Sequence, residues 1–556
     1  MLKRLFILLT IGSLTFHAFS QSTYIPNNKD YYHLINRYEI KDGDLASQIH
    51  TSYRTYKRSN IVEFADSLQV DSKSDQFNKE YMINDSWEWS NDHTNKSKKP
   101  FLKYFYRSKS DLFNVESESF DLHVNPVLYL SYGNESGNSD APYINTRGAE
   151  IRGMIDRKVG FYSFVGENQA RFPNYVRDRI NSVRVVPHEG FWKRYDDNGV
   201  DFFTIKGYFN FNATKHIDLQ FGHDNFFIGN GYRSLILSDY APSFTFLRIN
   251  THVWKLKYTN LYGQLTADPR ATNTGSIGIG RYPKKYISLH HLSLNLGRKF
   301  NIGLFESIMF GNEENNTYEL QYLNPIIFYR ALEHQNGSAD NVLLGMDFKW
   351  LVYKTVSLYG QLILDEFLID NLRAGNGWWG NKYGIQGGLH YVDALGIKNL
   401  DIQGEFNMVR PYTYSHLTYY QNYAHFRQPL AHPMGANFTE FIGIIRYQPI
   451  PRLNMVAKGI YNIYGTDSTA TNNWGGDILK DYSTREMDEG NTIGQGVENK
   501  LMLIDITFSY QLKHNLFIDL QHLIRNNKSE QAALTSNTSF TSMSLRLNIG
   551  KRLHDF

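Results

Sequence analysis

The sequence predicts an all-β protein, a transmembrane antiparallel β-barrel of about eighteen strands, preceded by a small, mostly helical segment. Three observations carry this reading. The 556-residue chain holds 39 Tyr, 36 Phe and 42 Gly, yet after residue 20 no stretch approaches the roughly 18 apolar residues of a membrane helix. From Asp121 onward, short segments alternate apolar and polar residues, the period of two that gives a strand one face for lipid and one for a lumen. Short turns alternate with long connections, the rhythm of a barrel with turns on one side of a membrane and loops on the other. A secreted β-sandwich or propeller is the rival architecture.

The chain opens with Lys3 and Arg4, an apolar run from Leu5 to Leu14, and Ala18-Phe19-Ser20 before Gln21. A charged start, a short apolar core and a small-residue end describe a secretory signal over residues 1–20, cut after Ser20. Cysteine is absent, which excludes a lipoprotein signal, disulfides and thiolate metal sites. A net charge of +3 gives no argument for a nucleic-acid partner. Residues 21–118 lack the alternation and are rich in Asn, Asp, Lys and Ser. Amphipathic pieces at Tyr31–Tyr38 and Asp75–Trp89 predict short helices, placed in the periplasm as a cap beneath the barrel. Trp87, Trp89, Phe101, Tyr104, Phe105 and Tyr106 are assigned to its packing.

Residues 119–556 are read as the barrel, and Phe203–Leu237 is its most informative stretch. Phe203, Ile205, Gly207, Phe209 and Phe211 alternate with Thr204, Lys206, Tyr208, Asn210 and Asn212. A turn at Ala213–His216 follows, and Ile217, Leu219 and Phe221 then alternate with Asp218, Gln220 and Gly222, completing a hairpin. His223–Ser234 breaks the rhythm with Gly229 and Gly231 among Asn225, Phe226, Phe227, Asn230, Tyr232 and Arg233, a loop that stands out as a functional segment. Earlier, Ala149, Ile151, Gly153 and Ile155 alternate with Glu150, Arg152, Met154 and Asp156. Beyond the Arg157–Lys158 turn, Gly160, Tyr162, Phe164 and Gly166 are predicted to face outward, opposite Ser163, Val165, Glu167 and Gln169. Leu400, Ile402, Gly404, Phe406 and Met408 are predicted to face lipid, with Asp401, Gln403, Glu405 and Asn407 in the lumen. The same division places Lys206, Asp218, Asp347, Lys349, Glu440, Arg446, Lys458, Asp505, Asp519, Arg525 and Arg546 inside, cross-linked by ion pairs. At His290-His291 the alternation slips, which predicts a bulge.

Short turns recur at 298–301, 353–355, 395–398, 449–452 and 513–515, and long connections at 311–341, 365–382, 410–437, 465–499 and 526–539. Counting strands between them gives about eighteen, and an even number lets both chain ends lie in the periplasm. The chain ends with Met543, Leu545, Leu547 and Ile549 opposite Ser544, Arg546, Asn548 and Gly550. Phe556 closes it, a terminal amphipathic strand with an aromatic end of the kind read by the barrel-assembly machinery.

Catalysis finds little support. A lipase needs a serine activated by a histidine with an orienting partner, and no G-x-S-x-G elbow is present. His188-Glu189 lacks the second histidine of a zinc-protease helix. No catalytic residue, metal or cofactor is assigned, and the chain is read as a non-enzyme. A diffusion porin needs a permanent opening, which aromatic loops of this length are able to fill. Saccharides offer apolar CH faces to aromatic rings and hydroxyls to Asn, Asp and Arg. The predicted outer loops combine these at Asp224, Asn225, Asn230, Tyr232 and Arg233; at Asn371, Arg373, Asn376, Trp378 and Trp379; and at Arg410, Tyr412, Tyr414, Tyr419 and Tyr420, with Trp474 besides. Trp378-Trp379, between Gly377 and Gly380, reads as a loop tip.

The segments FGHDNFFIGNGYRSLILSDYAP, FLRI and YTNLYGQL, with LFESIMFG and YLNPIIFYR further on, resemble the Wzi-like capsule-assembly family. In particular they look like its Bacteroidota branch, which includes the gliding-motility-associated RemB, and the resemblance covers about residues 120–550. It implies an eighteen-stranded outer-membrane barrel with a periplasmic helical element and a mouth closed by loops. The implied partners are outer-membrane lipid, surface polysaccharide, the assembly machinery and, on the alternative reading, motility or secretion components.

Overall fold

The computed structural model describes residues 21–556 except 28, 91–94, 99, 268–281, 312–316, 327 and 338–339. The predicted signal at 1–20 lies outside the described residues. Eighteen antiparallel strands close into one barrel. They are β1 (Phe120–Glu135), β2 (Tyr143–Ile155), β3 (Val159–Arg171), β4 (Gly199–Asn212), β5 (Ile217–Asp224) and β6 (Phe244–Val253). Next come β7 (Leu256–Thr266), β8 (Lys284–Leu296), β9 (Phe300–Phe310), β10 (Asn341–Leu351), β11 (Val356–Glu366) and β12 (Lys382–Tyr391). The last six are β13 (Leu400–Val409), β14 (Phe438–Ile450), β15 (Leu453–Thr466), β16 (Val497–Lys513), β17 (Leu516–Ser529) and β18 (Ser536–Leu547). Each strand pairs with its neighbours in sequence, and β18 pairs with β1 from Phe540↔Glu135 to Leu547↔Leu128. Closure leaves no sheet edge, the condition for strands to cross hydrocarbon. No described helix is long and apolar enough to cross a membrane.

Alternation sets the two faces. On β4, Phe203, Ile205, Phe209 and Phe211 are exposed on the outside while Tyr208 and Asn210 are buried inside. On β13, Gln403, Glu405 and Asn407 are buried in the lumen. Strand β3 runs opposite to the expectation: Tyr162 and Phe164 are buried inside and Val165 is exposed outside. Tyr162 stacks on the lumenal Tyr208 at 5.4 Å between centroids, so here the interior is packed with aromatic protein rather than water. The predicted bulge at His290-His291 is also absent. Register through β7, β8 and β9 is unbroken; His291 points inward to Asp347 at 2.6 Å, and His290 points outward.

Three helices, α1 (Tyr32–Asp42), α2 (Arg58–Ser67) and α3 (Lys73–Asp85), close the end of the barrel that carries the short turns. Gly43 stops α1 in the left-handed region, and the Ser72 hydroxyl caps α3 by accepting from Asp75 N at 3.0 Å. The group is fastened turn by turn. Gln21 N donates to Arg157 O at 2.9 Å and Leu45 N to Arg298 O at 2.7 Å. Asn78 bonds Gln448 at 2.7 Å, Tyr81 bonds Asn515 at 2.5 Å, and Arg37 pairs with Asp393 and Asp401. Trp87 donates to Asp111 at 2.6 Å, as a packing residue should, but Phe101 and Tyr104 stand exposed.

The charges assigned to the lumen do lie there, but many of their partners are not across the wall. Asp218 is held by Lys57 at 3.1 Å, Lys349 by Glu39 and Arg546 by Asp30, all from the N-terminal segment. The C-terminal end supplies others. After Leu547 the chain leaves the wall and turns into the lumen, so Phe556 is buried inside. Lys458 pairs with Asp555 at 2.7 Å, and Arg525 Nε donates to Phe556 O at 3.0 Å.

Candidate functional site

The residues singled out for saccharide binding fall into two places. Asp224 ends β5, and Asn225, Asn230, Tyr232 and Arg233 belong to the β5–β6 connection, which folds inward, so the expectation of an exposed outer loop is corrected. Its Phe227–Ile228 pairs with Tyr53–Arg54 of the N-terminal segment. Gly229 takes a φ of +125°, and a side chain there would run into Gln361, which explains why glycine stands at this turn. The Tyr232 and Arg233 amides donate to Glu405 at 2.6 and 3.0 Å. Arg233 also reaches Asp555 at 3.1 Å and Glu440 at 3.5 Å. Asp224 pairs with Lys206 at 2.8 Å, and the Lys206 ammonium donates to Asn225 Oδ1 at 2.6 Å. His390 bonds the Asn230 carbonyl at 3.2 Å.

These groups border a lumenal cavity of about 410 Å³ lined also by α1, Arg446, Lys458 and the tail 548–555. Burial by itself disfavours the charged forms of Arg233 and Asp555, but their mutual attraction outweighs it. Arg233 is raised further, helped by Glu440, and Asp555, with Lys458 also beside it, is held well below the usual carboxylate range. The five residues therefore lock the loop to the tail and wall.

The seven from Asn371 to Tyr412 lie at the mouth on the long-loop side. Helix α4 (Asn174–Val183), between β3 and β4, packs there against Phe556 and Tyr240. Asn371 and Arg373 sit on a short helix, Ile369–Ala374, with Arg373 exposed. Asn376 donates to Glu489 at 2.9 Å, and its side-chain oxygen accepts from the Trp378 amide at 3.1 Å. Gly377, at a φ of +67°, brings the backbone so close to Gly490 that a Cβ would not fit. Gly490 N donates to Asn376 O at 2.8 Å and Trp379 N to Asp488 O at 2.9 Å. The β11–β12 and β15–β16 loops are thereby stitched together, and Trp378-Trp379 lies at their seam.

Trp379 is the centre of this group. Its ring lies 4.9 Å from Tyr482 at 40°, 5.9 Å from Trp378 and under the Arg485 guanidinium at 4.2 Å. Lys382 stands 4.6 Å over Tyr482 and is itself held by Asp365 at 3.4 Å. Burial, with Glu366 and Asp365 adding to it, pushes the Tyr482 phenol up to about 12. Burial, with Lys382 beside it, brings His416 down to about 3. Both are neutral hydrogen-bonding groups near pH 7. Trp378, Trp379 and Tyr482 are half-exposed, so ring faces flanked by cations meet the outside.

Arg410 donates to the Trp378 carbonyl at 3.4 Å. Tyr412 is fully buried, its hydroxyl donating to Asn473 O at 2.9 Å, which makes it a support rather than a contact. Tyr414 is likewise buried and donates to Leu235 O at 2.6 Å, tying the mouth to the inward loop. Tyr482, Arg485 and His416 were not found by sequence reasoning. They sit in irregular loops without periodicity, and only the folding of three separate connections onto one another brings them to Trp379.

The model of the family described as capsule assembly protein Wzi matches residues 132–540. Among solved structures, the fold is similar to Wzi of Escherichia coli, described as an outer-membrane protein involved in group 1 capsule assembly and a carbohydrate-binding β-barrel. Identity is 13%, the TM-score 0.58, and the match covers 96% of this chain and 100% of that one. OprD of Pseudomonas aeruginosa matches at 10% identity and TM-score 0.41, covering 78% of this chain and 95% of its own. OccAB1 of Acinetobacter baumannii matches at 10% identity and TM-score 0.41, covering 77% and 96%. No curated protein matches this chain. Closed with eighteen strands and covered by that family model over most of its barrel, this chain is an outer-membrane protein that belongs to the Wzi capsule-assembly family.

Proposed function

We propose that the chain holds polysaccharide at the cell surface and that the contact is made at the mouth, by Trp378, Trp379, Tyr482 and Arg485. The carrying observation is the half-exposed Trp379 ring between Tyr482 at 4.9 Å and the Arg485 guanidinium at 4.2 Å. Flat rings suit the CH faces of a pyranose, and the cations and neutral hydroxyl and imidazole groups suit its hydroxyls or an acidic substituent. The Escherichia coli protein of similar fold, described as a carbohydrate-binding barrel, supports the same reading. Asn371, Arg373 and Asn376 extend the surface along the same loop. Asp224, Asn225, Asn230, Tyr232 and Arg233 act from within, by holding the lumenal loop on which Tyr414 rests, and Arg410 and Tyr412 support the rim.

The test is a Trp379→Ala/Tyr482→Ala double variant, with cell-attached and released polysaccharide measured separately. Each stacking contact contributes about 0.5–1.5 kcal/mol, so loss of two should weaken binding on the order of tenfold or more. The polymer should appear in the medium while its synthesis and the heat-modifiable barrel stay intact. An unchanged ratio, together with a defect in gliding or adhesion, would replace this reading by the motility one.

A further inference from the structure

The sequence motifs LFESIMFG and YLNPIIFYR meet on the outside of the barrel. The alternation that turns His291 and Phe305 into the lumen turns Tyr258, Asn260, Tyr262, Ser288, His290 and Glu306 outward. Over much of the rest of the barrel the large exposed side chains of that face are Phe, Leu and Ile. A polar row at this depth is costly in lipid unless something covers it, and here it is covered. Beyond β9, residues 317–326 and 328–337 fold back down the outer wall over β7, β8 and β9. Tyr329 bonds His290 and Tyr318 bonds Ser288, while the Arg330 amide donates to Glu306 at 3.1 Å. Tyr322 and Tyr329 pack with Tyr286, Ile308, Phe310 and Val342 into an apolar cluster outside the barrel.

The wall also satisfies the backbone of this segment, the condition for irregular chain to lie against hydrocarbon. Ser288 donates to Tyr322 O at 2.9 Å and Tyr262 to Leu323 O at 3.0 Å. Tyr258, the third residue of β7 from the short-turn end, donates to Pro325 O, so the segment descends most of the wall. Asn324 Oδ1 accepts from Ile326 N at 3.1 Å. At this deepest point, beside the exposed Asn324, the large outward side chains are apolar: Ile326 is 82% and Phe328 74% exposed, and they continue the lipid belt of Leu304 and Leu344. The polar residues lie on the shoulders. Glu319 and Gln321 come before the tip, and Arg330 and Glu333 follow it, paired at 2.5 Å.

We propose that residues 317–326 and 328–337 form a membrane-inserted strap whose tip, Leu323 to Ile326 with Phe328, lies among the acyl chains of the bilayer, with its charged shoulders at headgroup level. The occupant of this face is lipid rather than a second copy of the chain, because the exposed tip is continuous with the lipid belt and its charges are confined to the ends. The polar row beneath is then the anchor that keeps the strap down.

Because the chain has no cysteine, single-cysteine variants give a clean test. Ile326→Cys and Phe328→Cys are spin-labelled in phospholipid vesicles and read for access to oxygen and to a water-soluble nickel chelate, with Leu304→Cys as the lipid reference and Ala470→Cys as the aqueous one. The strap labels should favour oxygen, as Leu304 does. Nickel access like that at Ala470 would overturn insertion. Exclusion of both reagents with spin–spin broadening would overturn the lipid assignment in favour of a contact between two copies. Heat-modifiable mobility of each labelled protein shows that it is folded.

Discussion

Arg546 is fully buried on the lumenal face of β18, with Asp519 at 2.6 Å and Asp30 beyond it. Two carboxylates and the end of the N-terminal segment thus depend on one guanidinium. Removing one member of a buried pair leaves an uncompensated charge and costs about 3–5 kcal/mol. Arg546→Ala should therefore lower the temperature of the heat-modifiable transition, whereas Arg194→Ala, in an exposed pair at 3.7 Å, should leave it in place. His554 carries a pH dependence. Burial, with His188 and Arg552 adding to it, brings its pKa down to about 3. The unfolded chain takes up a proton near pH 6.5 and the docked tail does not, so docking weakens as pH falls from about 6.5 toward 3. Asp555 does not contribute in that window until the ordinary carboxylate range is reached, since its lowered pKa keeps it ionised and paired. Tail protection in hydrogen exchange should fall between pH 7 and 5 in the native chain, and His554→Gln should flatten the fall.

At the scale of elements, the C-terminus separates into two parts with different work. Strand β18 closes the barrel against β1, and its loss leaves backbone groups of both neighbours unpaired in lipid. Residues 551–556 make no wall pairing and fill the lumen. Deleting residues 539–556 should abolish membrane assembly, while deleting 551–556 should leave assembly intact, as read by heat modifiability. Normal assembly of both, or of neither, would refute this division.

The whole molecule is a filled barrel. Helices close one end, the β5–β6 loop and the tail occupy the middle, and α4 with the long connections covers the mouth, leaving an interior cavity of about 410 Å³. Single-channel recording should accordingly give a small conductance for the intact chain and a larger one after deletion of residues 551–556. A large steady conductance in the intact protein would indicate a path around the tail.

The strands were legible because alternation is local. A residue between lipid and water must match its face, so Phe203 to Phe211 and Leu400 to Met408 reveal their sides by composition, and short turns with long connections give the count of eighteen. Trp378-Trp379 reads as a loop tip from its bracketing glycines, whereas the pair lies at the seam of two loops, with Trp379 N bonded to Asp488 O. The reading by alternation failed on β3 and at His290 because it assumes a wet lumen and a lipid exterior everywhere. Tyr162 and Phe164 face inward against packed protein, and His290 faces outward beneath the strap. What lies against each face is set by segments hundreds of residues away: Asp30 reaches Arg546, Asp555 reaches Arg233, and Tyr482 reaches Trp379. Sequence alone determined the barrel, its strand count and its family. Tertiary structure alone decided that the glycine-rich loop turns inward, that the tail enters the lumen and that the mouth gathers Trp379, Tyr482 and Arg485, because those contacts join irregular segments whose partners no local pattern encodes.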